Sequence, residues 1–332
     1  MISNKHPFVS YAQNHEDVLL WRLFQNMAEG FYVDVGAAHP EWESVTKAFY
    51  DRGWRGINLE PNTHFYAMLE KERPRDINIR ALAGRETGER ELHIVGQSGL
   101  STASLENVDF LSAKGHAISH QETCKMVRLD DVFREYQAPR IQFLKVDAEG
   151  MEQEVLEGCS FSEFRPEVLV IEATLPETNT RREDGVREYL SSRDYQFAFF
   201  DGLNDFYVAA ECVHLEKQLL WPVNFIDNYI PANEIYLKNR LAKTLQLRPQ
   251  KRKFLFSDLF NQVRSFNRKK VAPLHAEDVI WAYRHFLGRE PESSEVVDDH
   301  IAVCKDFRHL VEVFTSSNEY QFKKMFTGTK LI

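Results

Sequence analysis

The sequence predicts an α/β protein with an open, Rossmann-like sheet of parallel strands, an antiparallel last strand and a small C-terminal α-helical domain. Three apolar segments, at residues 31–37, 56–61 and 143–150, each read as a strand that reaches an acidic residue at its end. Strand-like and helix-like segments alternate along this part of the chain, which is typical of βαβ units in a doubly wound sheet. Two later apolar runs flank the turn sequence Asp201-Gly202-Leu203-Asn204 and predict the closing hairpin.

The individual elements follow from apolar runs and helical spacing. The predicted parallel strands span residues 31–35, 56–59, 77–82, 141–146 and 168–172. The predicted helices span residues 44–52, 63–72, 129–136, 151–157 and 182–192. The hairpin strands are expected at residues 196–200 and 206–210, the second of them antiparallel to its neighbours.

Changes in composition divide the chain into four regions. Residues 1–30 are expected to form a helical preface, because apolar residues recur there at helical spacing, and residues 31–235 form the α/β domain. Residues 236–272 are rich in lysine and arginine and predict a solvated linker, or one that contacts an anionic membrane surface weakly. Residues 273–332 regain helical spacing and predict a small interaction domain that would bind a protein partner.

One polar segment interrupts the alternation. Residues 96–124 contain three glycines and lie between the third and fourth predicted parallel strands. Long insertions in compact domains are often lids or binding loops, so this segment is a candidate substrate cap. The alternative interpretation, a surface excursion without a role in binding, remains open.

The composition excludes several classes of protein. The 332 residues carry a net charge of −9, which argues against a nucleic-acid binder. Four scattered cysteines without a CxxC pair argue against a structural zinc site or a disulfide scaffold and favour a reducing cytoplasm. We expect a cytoplasmic protein without a transmembrane segment, since we find neither a signal core nor a long apolar run.

Acidic residues at the strand ends predict the cofactor. In open α/β sheets, ligands bind beyond the carboxyl ends of the strands, where Asp34, Glu60 and Asp147 would converge. Such an acidic crevice suits the positively charged S-adenosylmethionine (SAM) better than a polyphosphate nucleotide. The small Gly36 and Ala37 would let the backbone approach this cofactor. A complete glycine-rich phosphate turn is missing, which disfavours an NAD-dependent oxidoreductase.

The acids have different expected roles. Glu60 lies at the distance along the chain that suits a carboxylate binding a ribose diol. Asp147 could contact the methionine amino group, approach the acceptor hydroxyl or cap the following helix, and Glu149 is a second catalytic candidate. A cluster of Asp147, Glu149 and Glu152 could hold Mg²⁺, but the sequence offers no decisive second set of ligands, so no metal is expected.

Other polar residues are candidates for the acceptor side. His39 follows the first strand and is the natural base for a hydroxyl, although a plain turn residue is the alternative. Gln13, Glu16 and Asp17 could reach the crevice from the preface, or simply form a polar helix start.

Taken together, these stretches resemble the FkbM-type methyltransferase family. The resemblance covers about residues 8–232 and rests on the order and spacing of residues 10–17, 31–37, 53–61, 99–102, 143–150 and 201–204. It implies a class I methyltransferase fold and SAM-dependent O-methylation of a hydroxyl on a sugar, a glycan or a related secondary metabolite.

Residue roles carry over from the same resemblance. It implies that Asp34, Gly36 and Glu60 bind SAM, and that Asp147 lies between the cofactor and the acceptor. Ser101 and Thr102 would line the acceptor pocket. The turn at His39-Pro40 departs from the family, where asparagine is common.

The tail at residues 276–325 resembles a small helical domain of bacterial surface-glycan and secreted proteins, which implies a role in glycan assembly. A catalytically weak SAM-fold scaffold that recruits partners through this tail is the non-enzymatic alternative.

Overall fold

The computed structural model describes residues 7–95, 99–182, 184–244, 273–287 and 289–317. The chain divides into two compact units, Met1–Pro231 and Ala232–Ile332. This boundary lies four residues before the predicted one at 235, so the whole helix at Ala232–Thr244 belongs to the second unit.

A seven-stranded sheet forms the centre of the first unit, in the order β10-β11-β9-β8-β2-β3-β4. Its strands are β2 (Phe31–Val35), β3 (Arg55–Leu59), β4 (Ile77–Ile79), β8 (Phe143–Val146), β9 (Val168–Glu172), β10 (Tyr195–Phe200) and β11 (Asn204–Ala209). Strands β4, β3, β2, β8 and β9 are parallel, and β11 is antiparallel to β9 and β10. The predicted Rossmann-like sheet with an antiparallel last strand is confirmed.

The central strands are buried on both faces, as near-continuous apolar runs require. Aromatic side chains fill the layer beside β2 and β8, where Phe49 lies 4.9 Å from both Trp54 and Phe143 between ring centroids. Tyr32 stacks on Phe143 at 5.8 Å. This packing fixes the strand ends that carry the site.

The predicted helices of the first unit are present, most of them shorter at their ends, and Leu105–Ala113 is a further helix that was not predicted. They are α1 (Glu16–Phe24), α2 (Lys47–Asp51), α3 (Thr63–Glu72), α4 (Leu105–Ala113), α5 (Leu129–Glu135), α6 (Glu152–Glu157) and α7 (Val186–Ser191). Helix α3 begins where predicted because the Asn62 side chain accepts a hydrogen bond from the backbone N–H of His64.

The strand predicted at residues 77–82 is two strands. Ile77–Ile79 pairs with β3 at the sheet edge, whereas β5 (Leu82–Ala83) pairs with a different sheet. The chain leaves the large sheet at the exposed Arg80. The apolar run therefore located both strands but not their separation, and only Leu82–Ala83 is fully buried, since Ile77–Ile79 is half-buried at the sheet edge.

Much of the segment at residues 96–124 is regular secondary structure. It contains α4 and most of β7 (His120–Val127), which pairs with β5 and with β6 (Gly88–Ile94) in a three-stranded sheet. Residues 96–98 lie outside the described residues.

The N-terminal preface begins with a strand, which the sequence analysis did not predict. Strand β1 (Phe8–Ser10) pairs in parallel with β12 (Tyr229–Pro231), before α1 packs its apolar face against the domain. Phe8 also stacks on Trp21 of α1 at 5.3 Å, so an aromatic contact holds β1 against this helix while backbone pairing joins β1 to β12.

The second unit is helical, with α8 (Ala232–Thr244), α9 (Ala276–Ala282), α10 (Ser294–Val303) and α11 (Phe307–Ser316). Residues 236–244 of the predicted linker belong to α8, because the buried Arg240 forms an ion pair with the buried Asp278 at 2.5 Å. Residues 245–272 lie outside the described residues. Among the helices described, none is long and apolar enough to cross a bilayer.

Candidate functional site

The carboxyl ends of β2 and β8 meet at Gly36 and Asp147. Gly36 has a φ of +73°, and a Cβ atom built on it would lie 1.8 Å from the Asp147 carbonyl oxygen. The Asp147 N–H donates to the carbonyl of Val35 at 3.0 Å. Glycine is therefore required here by the contact between two strand ends, in addition to the freedom it gives to a nearby ligand.

Asp34 is buried in the sheet two residues before Gly36. Its Oδ2 accepts a hydrogen bond from the Thr46 hydroxyl at 2.8 Å, while its Oδ1 has no hydrogen-bond partner and lies 3.8 Å from Lys145 Nζ. Burial raises the pKa of Asp34, and Lys145 and Thr46 oppose that shift. One buried carboxylate oxygen is thus left for a further donor.

Thr46 is held in turn by Arg73, which the sequence analysis did not name. The buried Arg73 guanidinium donates to the Pro40 carbonyl, the Ser44 hydroxyl and Thr46 Oγ1. These bonds fix the loop that follows β2 beside the strand ends. An arginine just after an amphipathic helix gave no sequence signal for this role.

Glu60 follows β3 and is buried, with each oxygen already bound by backbone. Its Oε2 accepts from the Ala38 N–H at 2.7 Å and its Oε1 from the Asn62 N–H at 2.8 Å. Burial raises the pKa of Glu60 to about 7, and the two backbone bonds oppose the shift. Each carboxylate oxygen retains a lone pair, so Glu60 orders the loop after β2 and can still accept from a ligand.

His39 is held as a turn residue. Its Nδ1 accepts hydrogen bonds from the backbone N–H groups of Glu41 and Trp42, both at 3.0 Å. The neutral ring therefore carries its proton on Nε2, which leaves no free nitrogen lone pair for a proton from an acceptor. Ala37 is buried next to it and donates its N–H to the Leu59 carbonyl at 3.3 Å.

Lys145 and Asp147 form a charged pair at the end of β8. Lys145 Nζ lies 3.1 Å from Asp147 Oδ2 and donates to the Gly36 carbonyl at 3.3 Å. Burial acts to lower the pKa of Lys145, but Asp147 and Asp34 outweigh it and raise that pKa above its usual value. Asp147 is the more exposed partner, with 35% of its side chain accessible. It is placed to meet a ligand.

Beyond Asp147, further acids crowd the ends of β8 and β9. Glu149 and Glu152 follow β8, and Glu172 ends β9; all three are buried. Oxygen atoms of Asp147, Glu152 and Glu172 lie within 4.8 Å of one another. Burial and the neighbouring carboxylates raise the pKa values of Glu149 and Glu172 well above the usual range.

Arg182 is the cation that faces this group of acids. It lies 3.3 Å from Glu172 and 3.8 Å from Glu152, and its side chain also donates to Asn107 Oδ1 and the Thr174 carbonyl. Neither Glu172 nor Arg182 was assigned by the sequence analysis. Glu172 could have been found, because it ends a fully buried strand in the same way as Asp147.

The predicted pocket residues lie close to the same acids. Thr102 is buried, and its hydroxyl donates to the Glu149 carbonyl at 2.6 Å, as does the Asn107 side chain. Ser101 Oγ accepts from the Val95 N–H at 3.3 Å. The insertion thus holds the loop of Glu149 in place through Thr102, and its serine is engaged locally.

The N-terminal segment contacts strand β11, beside Glu172, through Glu16. Asn204, which opposes Glu172 across β11 and β9, donates to Glu16 Oε1 at 2.8 Å. Asn14 donates to the Asp201 carbonyl at 3.0 Å. Gln13 of the same segment is exposed. Two separate sequence stretches, at residues 10–17 and 201–204, therefore form one structural contact beside the site.

A cavity of about 460 Å³ opens beside Glu172, next to helix α7. Its lining is mainly polar and includes Arg181, Arg182, Asp205 and Tyr207. Arg181 forms an ion pair with Asp205. A space of this size and polarity at the ends of strands suits a small hydrophilic ligand.

Two solved structures are similar to this chain. One is Streptococcus pneumoniae Sp1610, assigned as a tRNA (m1A22) methyltransferase, at 14% identity and a TM-score of 0.30, covering 87% of this chain and 96% of that one. The other is M. capricolum TrmK in complex with its cofactor product S-adenosylhomocysteine, at 10% identity and a TM-score of 0.27, covering 74% and 93%. A search of curated proteins gives no match to this chain.

The methyltransferase FkbM domain family matches residues 34–197, from Asp34 in β2 to Phe197 in β10. The matched region contains Glu60, Asp147 and Glu172, and so includes the strand ends that form the site. The chain therefore carries an FkbM methyltransferase domain, and the protein is a SAM-dependent methyltransferase.

Proposed function

We propose that this enzyme transfers the methyl group of SAM to a hydroxyl oxygen of a polar acceptor, such as a sugar, a glycan or a related secondary metabolite. The observation that carries the proposal is the polar cavity beside Glu172, on the same sheet edge as Asp147 and next to the strand ends that suit SAM. An acceptor with several hydroxyl groups would match the carboxylates and guanidinium groups that line this space.

The residues at β2 and β3 fit the cofactor. Asp34 Oδ1 is buried and has no hydrogen-bond partner, which a donor group of the cofactor would supply. Glu60 can accept from ribose hydroxyls, while Gly36 and Ala37 leave the backbone uncovered beside it. When bound, SAM supplies an electrophilic methyl group on a positively charged sulfur. The acidic character of this edge would favour that charge.

Asp147 is our candidate for the group that receives or orients the acceptor proton. It is partly exposed, it lies at the end of β8 between the two halves of the site, and Lys145 fixes one of its oxygens. His39 is less suited, because its Nδ1 already accepts two backbone bonds. Glu149 is buried behind Asp147 and would act on the acceptor through its neighbours.

The direct test measures methyl transfer from tritiated SAM to a panel of free sugars, oligosaccharides and hydroxylated secondary metabolites. We expect S-adenosylhomocysteine to form only with an acceptor that carries a hydroxyl group. A set of deoxy sugars serves as matched controls, since removal of the reacting hydroxyl should abolish transfer.

The same assay tests the non-enzymatic alternative. Binding of SAM without turnover across the whole panel would contradict the proposal and favour a SAM-fold scaffold. In that case, the helical domain at Ala232–Ile332 would be examined for a protein partner in glycan assembly.

A further inference from the structure

Three carboxyl groups meet at the ends of β8 and β9, on the proposed acceptor side, and a fourth lies near them. Oxygen atoms of Asp147, Glu152 and Glu172 approach within 4.8 Å of one another, and Glu149 lies within electrostatic range of all three. They come from the end of β8, the start of α6 and the end of β9. No metal was expected from the sequence, because residues 147–152 offered no ligand from a second segment of the chain. In the folded protein, Glu172 at the end of β9 is such a ligand.

The basic side chains that contact these acids do not balance their charge. Lys145 pairs with Asp147, and Arg182 lies near Glu152 and Glu172. If all four carboxyls are ionised, two negative charges remain among the residues named here. Buried carboxylates that lack counter-charges are costly, so the site would gain from a further cation.

Glu149 gives an independent reason to expect a ligand. Its side chain is buried, with 8% exposure, and its Oε2 has no hydrogen-bond partner among the residues that the structure describes. Buried carboxylate oxygens are normally satisfied, and an orphaned one in an acidic pocket calls for a donor or a positive ion. Thr102 and Asn107 hold the Glu149 backbone carbonyl, so the loop is fixed in this arrangement.

We propose that Asp147, Glu152 and Glu172 bind a hard divalent cation, Mg²⁺ or Mn²⁺, with Glu149 as a supporting carboxylate. All the donors are oxygen atoms, which these ions prefer over softer metals. Asp147 is partly exposed and Glu172 lines the cavity, so coordination positions remain for water or an acceptor oxygen.

The role of this ion in catalysis rests on the proposed function. A cation here would orient an acceptor hydroxyl and lower its pKa, which would favour acceptors with adjacent oxygen atoms. The ion site itself is a separate claim, because binding of the metal can be measured without SAM or an acceptor.

The experiment titrates the full-length protein, treated with chelator and free of SAM, with Mn²⁺ while electron paramagnetic resonance follows the free ion. We expect one Mn²⁺ per chain, displaced by Mg²⁺. Glu172→Gln should weaken binding at least 10-fold. The control Glu86→Gln, at an exposed turn far from β9 in sequence, should bind as the wild type does.

The proposal is overturned by the lack of saturable Mn²⁺ binding or by unchanged binding in Glu172→Gln. If that variant does not fold, Asp147→Asn replaces it, since this residue is more exposed, and the same 10-fold loss is expected. Calorimetry with S-adenosylhomocysteine in EDTA separates the two proposals: cofactor binding without metal binding rejects the ion site alone, whereas metal binding without cofactor binding supports the ion site and rejects the methyl-transfer reading.

Discussion

The acids at the ends of β2 and β3 differ from those at the ends of β8 and β9 in how their carboxylate oxygens are satisfied. At the proposed cofactor edge, formed by the ends of β2 and β3, Glu60 accepts a backbone N–H on each oxygen and Asp34 accepts from the Thr46 hydroxyl. At the proposed acceptor edge, formed by the ends of β8 and β9, carboxyl groups face one another, and Glu172 and Glu152 share the guanidinium of Arg182. Backbone N–H groups and a hydroxyl satisfy most carboxylate oxygens of Glu60 and Asp34. The carboxylates at the ends of β8 and β9 depend instead on neighbouring side chains or on a ligand.

An acid at a strand end is therefore not by itself a functional group. Donors on nearby loops decide how much of its hydrogen-bonding capacity is left for a ligand. Glu60 serves the fold and the proposed cofactor at once, whereas Glu149 has an oxygen for which the described structure provides no partner. The following predictions test the comparison in order of expected effect.

The largest loss of stability is expected at Gly36, where the end of β2 contacts the end of β8. Gly36→Ala should lower the free energy of unfolding by about 3–5 kcal/mol, because it adds a left-handed backbone penalty to a collision with the Asp147 carbonyl. Gly53→Ala is the matched control: its φ is +93° but nothing lies within 4 Å of the new Cβ, so about 1–2 kcal/mol is expected. Urea unfolding measures both, and equal losses would remove the strand-end contact as the reason for Gly36.

The pH dependence of stability should distinguish Glu16, which contacts β11, from Glu60, which follows β3. Burial, with Asp201 adding to it, raises the pKa of Glu16 from 4.5 to about 8, and burial raises that of Glu60 to about 7. A carboxyl whose pKa is higher in the folded state stabilises the fold below pH 4.5 and loses that contribution as the pH rises through the folded value.

We therefore expect stability to fall between about pH 4.5 and 8, by about 1.4 kcal/mol per pH unit for each group between its two pKa values. Glu60→Gln should flatten the profile up to pH 7, and Glu16→Gln should flatten it up to pH 8. Chemical unfolding across this range measures the effect. Identical profiles for the two variants between pH 7 and 8 would show that Glu16, beside the acceptor edge, does not titrate as expected.

A substitution at the proposed acceptor edge should lower turnover more than it weakens cofactor binding. Asp147→Asn is expected to lower kcat by about 100-fold while the fold and S-adenosylhomocysteine binding are kept, because the amide cannot accept a proton. Asp109→Asn, at an exposed position on α4, controls for a general charge effect. Normal turnover in Asp147→Asn would leave Asp147 as a structural partner of Lys145.

The smallest effect is expected at the cofactor edge. Glu60→Ala should weaken SAM binding by about 1–3 kcal/mol, through loss of hydrogen bonds to a charged group. Calorimetric titration measures it, with Glu70→Ala on the exposed face of α3 as control. Unchanged affinity in folded Glu60→Ala would assign Glu60 to loop structure alone, as the partner of Ala38 and Asn62.

Much of the fold could be read from periodicity and turn signals. The predicted parallel strands and the hairpin at Asp201–Asn204 were found because buried parallel strands are continuous apolar runs bounded by turns. The split at Arg80, the pairing of β1 with β12 and the helix at residues 232–244 were not found. Each of these depends on a partner segment far away in the chain, which local patterns do not encode.

Local sequence patterns predicted the succession of most strands and helices along the chain and the acids at the strand ends, because strand periodicity and strand-end position are local properties. Only the tertiary structure brought Glu172 and Arg182 to Asp147 and placed Glu16 beside Asn204. It also showed that the two bonds on His39 Nδ1 leave this ring poorly placed as a base. Which acid is satisfied and which remains available depends on distances between separate segments, and those distances exist only once the chain has folded.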